Sequence, residues 1–434
     1  MRMVVLGLGY LGATHAACMA ELGHEVLGVE IDVEKMNQLA AGEIPFYEPG
    51  LPQLLKKHLE SGNLQISDSY EEAAQWGEVF FIAVGTPQKK GEYAADLKYV
   101  NGVIDSLVPH LTKDALILGK STVPVGTCDE LSGRAQDLTK EDISVEVAWN
   151  PEFLREGHAI ADTLRPDRIV IGCNAAGTAE TVAREIYAEI LKDGTPILVM
   201  DPASAEVVKA AANSFLATKI SFINAIAEVC EAAGADIVAV ADAIGKDDRI
   251  GRKFLNAGLG FGGGCLPKDI RAFMARSAEL GAADAVAFLR EVDNVNMRRR
   301  NRVVDIAKEE CGGSLLGKRV AVLGAAFKPE SDDVRDSPAL NVAGQIQLQG
   351  AAVTVFDPKA NDNSKRVFPT LHYATDAFVA CKDADITLVL TEWPEFREID
   401  PSNLGRVVSR RTVIDGRACL DKDRWKTAQW RYLR

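Results

Sequence analysis

The sequence predicts an α/β protein of two doubly wound domains joined by a long central helix and a helical dimerisation region. Three observations carry this. The first 200 or so residues alternate short β-branched runs with amphipathic stretches, the pattern of an open, mostly parallel sheet covered on both faces. Between Ala203 and Ala233 there is neither Gly nor Pro, while Ala, Leu, Ile, Glu and Lys abound. Beyond Cys311-Gly-Gly-Ser-Leu-Leu-Gly317 the strand–helix alternation starts again. A chain of 434 residues also exceeds what one compact core accommodates.

Taken in order, the candidate strands of the first domain are Met3–Leu6, Glu25–Val29, Val79–Val84, Ala115–Gly119, Val145–Trp149 and Arg168–Gly172. The Gly- and Pro-free stretch reads as one helix of about 30 residues, roughly 45 Å long at 1.5 Å per residue. Its apolar Val208, Ala212, Phe215, Phe222, Ile226 and Val229 suggest substantial burial. The helical stretch Ile270–Glu310 should pack beside it, and this middle region offers a face for a homodimer. The second α/β unit reads as strands Lys318–Gly324, Ala352–Phe356, Ile386–Leu390 and Thr412–Ile414, with a helix over Pro338–Gln349. The expected domains are therefore 1–202, 203–310 and 311–434.

Composition narrows the function classes. With 47% hydrophobic and 26% charged residues the chain is an ordinary globular protein, and a net charge of -13 argues against nucleic acid or an anionic membrane as partner. It leaves room for a small anionic ligand in a locally basic pocket. No run reaches the roughly 18 apolar residues of a membrane span, and the N-terminus lacks a signal-peptide cleavage site. The eight cysteines (18, 128, 173, 230, 265, 311, 381 and 419) form no Cys-x-x-Cys pair and sit beside no histidine cluster. That pattern speaks against a metal site or a disulfide framework and fits a reducing cytoplasm.

Gly7-Leu-Gly9-Tyr-Leu-Gly12 follows the first strand and opens a helix. The first glycine allows the tight turn, the second lets a pyrophosphate approach the backbone, and the third lets helix and strand pack closely. The next strand ends at Glu30, where a carboxylate would hold the adenosine ribose hydroxyls and repel a 2′-phosphate. NAD is thus expected over NADP, with Lys35 close by. Val84-Gly85-Thr86-Pro87, Lys120-Ser121-Thr122-Val123-Pro124 and Asn150-Pro-Glu152-Phe-Leu-Arg-Glu156-Gly157 each follow a strand, at the ligand-binding edge of such a sheet; any of them could equally be a surface turn.

The segment Gly258-Leu-Gly-Phe-Gly-Gly-Gly264-Cys265-Leu-Pro267-Lys268-Asp269 packs five glycines into its first seven residues, and that run leads directly into a cysteine. Pro267 suits a first helical turn, so Cys265 should lie at a helix N-terminus with Lys268 nearby, both favouring thiolate. Asp269 would share its face as a proton-transfer carboxylate. Beside a nicotinamide site such a thiolate suggests attack on an aldehyde to give a thiohemiacetal, oxidation to a thioester and hydrolysis to the acid. On the long helix Lys209 and Asn213 face the same way, joined by Glu206, and could stabilise an oxyanion or simply form a solvated stripe.

These segments, together with IPFYEPGL (44–51), KAAANSFLATKISFIN (209–224), RIGRKFLNAGLGFGGGCLPKD (249–269), AAFKPESDDVRDSP (325–338) and VIDGR (413–417), resemble the UDP-glucose 6-dehydrogenase family, within the UDP-glucose/GDP-mannose dehydrogenases. The resemblance implies two Rossmann-like domains and a four-electron oxidation of UDP-glucose to UDP-glucuronate, about two NAD reduced per sugar. It implies Cys265 as nucleophile and Asp269 with Lys209 in acid–base and oxyanion roles. Asn213 would assist at the oxyanion, and Thr122 and Glu152 would serve proton transfer and hydrolysis. For NAD it points to Gly7, Gly9, Leu11, Gly12, Glu30, Lys35, Thr86, Ser121, Glu156 and Arg335. For the nucleotide sugar it points to Glu152, Phe153, Leu154, Lys209, Asn213, Phe254, Leu255, Asn256, Gly260, Gly262, Phe327, Lys328 and Arg417. Arg249 resembles the residue that reaches the sugar from a neighbouring subunit, which implies a homodimer or a higher homo-oligomer.

Gly264 stands where many members have serine, and Leu266 where phenylalanine is frequent. Leu-Pro-Lys-Asp also occurs in the GDP-mannose branch. A GDP-mannose or UDP-N-acetylmannosamine 6-dehydrogenase therefore stays open, as does a non-catalytic regulator that binds NAD and a nucleotide sugar. In the second α/β unit Gly324-Ala-Ala-Phe-Lys328 lacks the second and third fingerprint glycines and should not bind a dinucleotide. Lys328 and Arg417 at its strand ends could neutralise a pyrophosphate instead.

Overall fold

The β-branched runs become two sheets in the computed structural model of the chain, which describes residues 1–434. The first sheet holds β1 (Arg2–Leu6), β2 (Glu25–Val29), β3 (Leu64–Ser67), β4 (Val79–Ile82), β5 (Ala115–Gly119), β6 (Val145–Trp149), β7 (Ile169–Gly172) and β8 (Ile197–Met200). Its order is β3-β2-β1-β4-β5-β6-β7-β8, parallel throughout except where β7 meets β6 in antiparallel sense. The second sheet holds β9 (Arg319–Leu323), β10 (Ala352–Phe356), β11 (His372–Tyr373), β12 (Ile386–Val389), β13 (Thr412–Asp415) and β14 (Arg431–Leu433), in the order β11-β10-β9-β12-β13-β14 and all parallel. Both sheets reverse their winding beside their own first strand, which places the loops after β1 and β4, and after β9 and β12, at a switch point where ligands bind.

By compactness the chain falls into two units, 1–212 with 271–281 and 213–270 with 282–434. In the first, apolar side chains cover both faces of the sheet, Met3, Val5, Leu8, Phe81 and Leu118 on one side and Val4, Leu6, Phe80, Ile82 and Ile117 on the other. In the second, Val320, Val322, Leu388, Val413 and their neighbours form one core around its sheet. No helix is long and apolar enough to cross a membrane.

The long helix runs from Pro202 to Ala233, 32 residues, with proline where a first turn tolerates it. Its burial differs from expectation. Ala205, Ala217, Ile223, Ala227 and Cys230 are buried, whereas Phe215, Phe222 and Val229 are 66%, 52% and 62% exposed. The helix packs largely through small side chains together with Ile223, while Phe215, Phe222 and Val229 point away. The stretch expected to be helical from Ile270 to Glu310 is two helices, Leu266–Glu279 and Phe288–Glu310, broken at Gly281, whose φ of 77° no ordinary helix accepts. The second of these does lie beside the long helix, with the Ser221 hydroxyl donating to the Val292 carbonyl at 2.7 Å.

At the end of β10 stands Asp357, the counterpart in the second sheet of Glu30 in the first. Its Oδ2 accepts from the amides of Ala325 and Ala326 at 2.7 and 2.9 Å and from the Trp393 indole at 3.1 Å. Its Oδ1 accepts from the amides of Lys359 and Ala360, both at 2.9 Å. Both oxygens are consumed within the fold, so nothing remains for a ribose. Replacing this buried, five-fold bonded carboxylate by alanine should cost about 3 kcal/mol or more of stability while leaving NAD affinity unchanged. Chemical denaturation and a fluorescence titration with NAD check the two halves; a weakened NAD affinity at undiminished stability would contradict the assignment.

Candidate active site

The dinucleotide motif has the geometry its glycines require. Gly7 closes the turn after β1 at a φ of 89°. A Cβ on Gly12 would sit 1.8 Å from the Gly7 carbonyl oxygen, so helix and strand approach as only glycine permits. A Cβ on Gly9 would meet nothing within 4 Å, which leaves an open face at the N-terminus of the Tyr10–Glu21 helix, where backbone amides and the helix dipole suit a pyrophosphate. Leu11 lies in the first turn of that helix. The Glu30 carboxylate, mostly buried at the end of β2, accepts from the Leu8 amide and the Asp32 amide, both at 3.2 Å, and pairs with the Lys35 ammonium. Lys35, a possible attractor of a 2′-phosphate in the sequence, is thus engaged by an acid that repels one. These residues fit NAD.

Three strand-end loops of the same unit are tied together. The Thr86 hydroxyl donates to the Thr122 carbonyl at 2.7 Å, the Ser121 hydroxyl to the Val84 carbonyl at 2.7 Å, and the Trp149 indole to the Ser121 carbonyl at 3.2 Å. Two residues past Asn150, the Glu152 carboxylate caps its own loop at the Leu154 amide, 2.7 Å, and pairs with the Lys209 ammonium at 3.0 Å. The Phe153 ring carries Arg168 at 3.9 Å and Lys209 at 5.5 Å. Glu156 is half-buried in this loop.

Lys209 and Asn213 are buried, not a solvated stripe. Glu206 does not join them. Its buried carboxylate accepts from the amides of Gly126 and Cys128, at 2.6 and 2.7 Å, at the start of the Thr127–Leu138 helix. That helix has no side-chain cap of its own, and Glu206 supplies one from elsewhere in the chain.

In the second unit the glycine run lies against its neighbours. At Gly260, φ 98°, a Cβ would stand 2.2 Å from Asn296 Oδ1; at Gly262 it would stand 2.3 Å from the Asp336 carbonyl oxygen. Asn296, fully buried, reads both sides of the Phe261 peptide, accepting from its amide at 2.7 Å and donating to its carbonyl at 3.0 Å. Arg300 donates to the Phe261 carbonyl at 3.0 Å and to Asp336 at 2.8 Å, and Asn224 accepts from the Gly258 amide at 2.8 Å. Asn224, Asn296 and Arg300 were not expected as site residues. Asn296, Arg299 and Arg300 share one helical face and are all buried, and nothing in their spacing tells such a face from a solvated one.

Held in this way, Cys265 is exposed, one residue before the Leu266–Glu279 helix, and its carbonyl accepts the first helical bond from the Asp269 amide at 2.9 Å. Asp269 is buried and accepts from the Asn213 amide group and from the Lys268 ammonium, both at 2.6 Å. Lys268, expected to favour the thiolate, thus has a carboxylate partner. Gly264 faces Arg335: a Cβ there would lie 2.2 Å from the guanidinium carbon, and Arg335 is itself paired with Asp333 at 2.8 Å.

The remaining sugar-site candidates belong to the same unit. Leu255 is core, Asn256 is exposed and accepts from Arg252 at 2.8 Å, and Phe254 adopts a φ of 66°. Arg417 donates to the carbonyls of Leu390, Gly260 and Phe327 at 2.8, 2.8 and 3.1 Å and pairs with Glu392 at 3.3 Å. The Lys328 ammonium stands 5.3 Å from the Phe327 ring. Arg249 is 88% exposed and pairs with Asp247 on a loop whose carbonyls, at Ile250 and Gly251, accept from Lys219 at 2.9 and 3.1 Å.

A glycine-rich turn at a sheet switch point, with an acid at the end of the next strand, has the parts of a dinucleotide-dependent dehydrogenase. The family comparison is specific. Residues 1–191, 203–298 and 321–422 match the NAD-binding, central and UDP-binding domains of one family, and the chain belongs to the UDP-glucose/GDP-mannose dehydrogenase family. It is 39% identical to a UDP-glucose 6-dehydrogenase of Rhizobium meliloti, over 100% of this chain and 98% of the other. Among solved structures, a UDP-glucose dehydrogenase from Pyrobaculum islandicum superposes with a TM-score of 0.91 at 38% identity, covering 99% and 96% of the two chains. A UDP-D-ManNAc dehydrogenase from Pyrococcus horikoshii follows at 0.84 and 26%, covering 97% and 96%.

Burial pushes the Glu206 carboxyl up to about 7 from an ordinary 4.5, against the pull of its two backbone amides. Below pH 4.5 folded and unfolded chains both hold this proton. Between 4.5 and about 7 the folded chain alone keeps it, so this group's contribution to stability falls as pH rises through that window and is constant above it. The change should amount to about 3 kcal/mol. Unfolding free energies across the window, compared with those of Glu206→Gln, measure it; an identical pH slope in the variant would disprove the shift.

Proposed function

We propose that this chain oxidises the C6 alcohol of UDP-glucose to the carboxylate, with two NAD reduced per sugar, through a covalent intermediate on Cys265. The observation that carries the reading is the exposed Cys265 at a helix start, with Asp269 buried one turn on and bonded to Asn213 at 2.6 Å. The substrate assignment is supported by the names of full-length relatives and by 38% identity to a solved UDP-glucose dehydrogenase.

NAD, when bound, supplies the two-electron acceptor for each oxidation. It would be held by Gly7, Gly9, Leu11 and Gly12 at the pyrophosphate, by Glu30 with Lys35 at the ribose, and by Thr86, Ser121, Glu156 and Arg335. The chain's own residues do the rest. Asp269, with the Thr122 hydroxyl as relay, takes up the proton of the C6 alcohol as the aldehyde forms. The Cys265 thiolate adds to the aldehyde carbon, forming a C–S bond, while Lys209 and Asn213 donate to the oxyanion. A second oxidation turns the thiohemiacetal into a thioester. Water, deprotonated by Glu152 or Asp269, adds to that carbonyl, and the C–S bond breaks to return thiolate and release the acid. Overall one alcohol, two NAD and one water give one carboxylate, two NADH and three protons.

For the sugar nucleotide, Phe153 and Leu154 would line its path together with Glu152. The 254–262 loop, through Phe254, Leu255, Asn256, Gly260 and Gly262, would follow it by backbone contacts. Phe327 and Lys328 would meet the nucleotide, and Arg417 would hold the glycine loop while adding positive charge. The functional segments 1–202, 203–310 and 311–434 correspond to NAD binding, dimerisation and UDP-sugar binding.

We also propose a homodimer. Phe215, Phe222 and Val229 repeat every seven residues along one face of the long helix and are all exposed, a seam that a second copy would bury. Arg249 would then reach the neighbour's sugar site. A cytoplasmic location accords with this small-molecule chemistry and with cysteines that form no disulfide.

A panel of UDP-glucose, UDP-N-acetylmannosamine and GDP-mannose, scored by NADH, tests the reading. UDP-glucose should be preferred and should yield about two NADH per sugar, while Cys265→Ser should yield at most about one. A wild-type yield of about one, or full turnover in the serine variant, would refute the covalent route. Light scattering tests the second proposal: wild type should run as a dimer or larger, and Phe215→Glu with Phe222→Glu should be monomeric and inactive.

A further inference from the structure

Lys120 is the first residue after β5, fully enclosed in the first unit, and none of the roles above uses it. Its ammonium makes no ion pair. It donates to Asn150 Oδ1 at 2.9 Å, to the Asn150 carbonyl at 3.5 Å and to the Tyr187 hydroxyl at 3.3 Å, three donors for three neutral acceptors. The rings of Phe81 and Tyr187 stand 5.8 Å from the nitrogen. His15, packed edge-on to Phe81 at 4.5 Å, has both ring nitrogens unpartnered and is kept neutral by burial and by this lysine. Burying an ammonium among neutral groups is costly, and an apolar side chain of similar length would fill the space at less expense. The cost is visible in the lysine itself, which burial pushes down to about 7 while the nearby Glu152 carboxylate pulls it back up.

What the lysine achieves is directional. Asn150 is held at every polar atom: its amide donates to the Gly119 carbonyl at 2.7 Å, its Nδ2 to the Val170 carbonyl at 2.9 Å, and its Oδ1 accepts from Tyr187 at 2.5 Å as well as from Lys120. After it come Pro151, which stiffens the chain, and Glu152. The Ser121–Thr122 side has separate anchors in Trp149, Val84 and Thr86. Loss of the ammonium therefore loosens the Asn150–Glu152 side alone.

We infer that Lys120 is a positioning residue for the thioester-hydrolysis step: through Asn150 it fixes where the Glu152 carboxylate stands. The inference rests on the proposed role of Glu152. In Lys120→Met, kcat should fall by about tenfold or more, with KM for NAD and for UDP-glucose within about threefold of wild type. Because hydrolysis is the step that suffers, intact-mass spectrometry during turnover should show the covalent sugar adduct on Cys265 building up. The unfolding midpoint should stay within a few degrees, since a costly buried charge has been removed. A residue that merely supports the fold would lower the midpoint and give no adduct. Unchanged kcat, or a loss of kcat without adduct, overturns the inference. If Lys120→Met does not fold, Tyr187→Phe removes one partner of the same contact and is read by the same two measurements, with adduct supporting the inference and its absence overturning it. Glu152→Gln separates the two failures. A fully active Glu152→Gln, or a wild type inert with UDP-glucose, removes the reading and the inference with it; an active wild type with an adduct-free Lys120→Met removes only the role of Lys120.

Discussion

The backbone of residues 258–264 lies closer to its surroundings than any side chain would allow, and the placement of the exposed Cys265 thiol depends on that approach. Asn296 grips the amide and the carbonyl of Phe261, Arg300 adds a second bond to that carbonyl, and the Gly260 carbonyl is held by Arg417. With the run fixed at both edges, the chain enters the Leu266–Glu279 helix at a set angle and leaves Cys265 exposed at its start. A helix beginning there places partial positive charge at the sulfur and sets Asp269 one turn on, on the same side. Ordering so many glycines is entropically expensive, and the buried amide and guanidinium contacts offset it.

The two sheets share one winding order and divide the work by chemistry at equivalent positions. After β1, Gly9 leaves an open face and Glu30 stands at the next strand's end. After β9 the second and third fingerprint glycines are replaced by Ala326 and Pro329, and Asp357 turns inward to bind five donors. The second sheet has the same frame with its dinucleotide site filled from inside. Its functional edge is then free to carry cations such as Lys328 and Arg417.

Much of this was legible in the sequence because it is written in local signals. Glycine spacing after a β-branched run gave the dinucleotide turn, and the Gly-free stretch gave the long helix to within a residue. The strands that escaped, β3, β8, β11 and β14, are the four outermost ones of the two sheets. An edge strand packs against one neighbour, so it is short, and two-residue β11 leaves no periodicity to read. At the site, Cys265, Asp269, Lys209 and Asn213 follow from residue type and helical spacing. Asn296, Arg300, Lys120 and the capping role of Glu206 do not, because each acts on backbone far away in sequence. A buried polar side chain reveals its partner only once the fold has chosen it.

The long helix shows the same limit from the opposite direction. Helical periodicity marks which positions lie on one face, and hydropathy was expected to mark that face as core. Instead Lys209, Asn213 and Glu206 are buried, each with a polar contact, while Phe215, Phe222 and Val229 face out. Polarity is inverted because the buried polar groups find fixed partners there, Glu206 at a helix start, Lys209 at Glu152 and Asn213 at Asp269, and small Ala residues fill the space between them. Large apolar side chains left outside at a seven-residue repeat cannot be explained by the packing of one chain. Hydropathy on such a helix therefore does not by itself mark the chain's own core, and only the contacts of each face tell which face is buried.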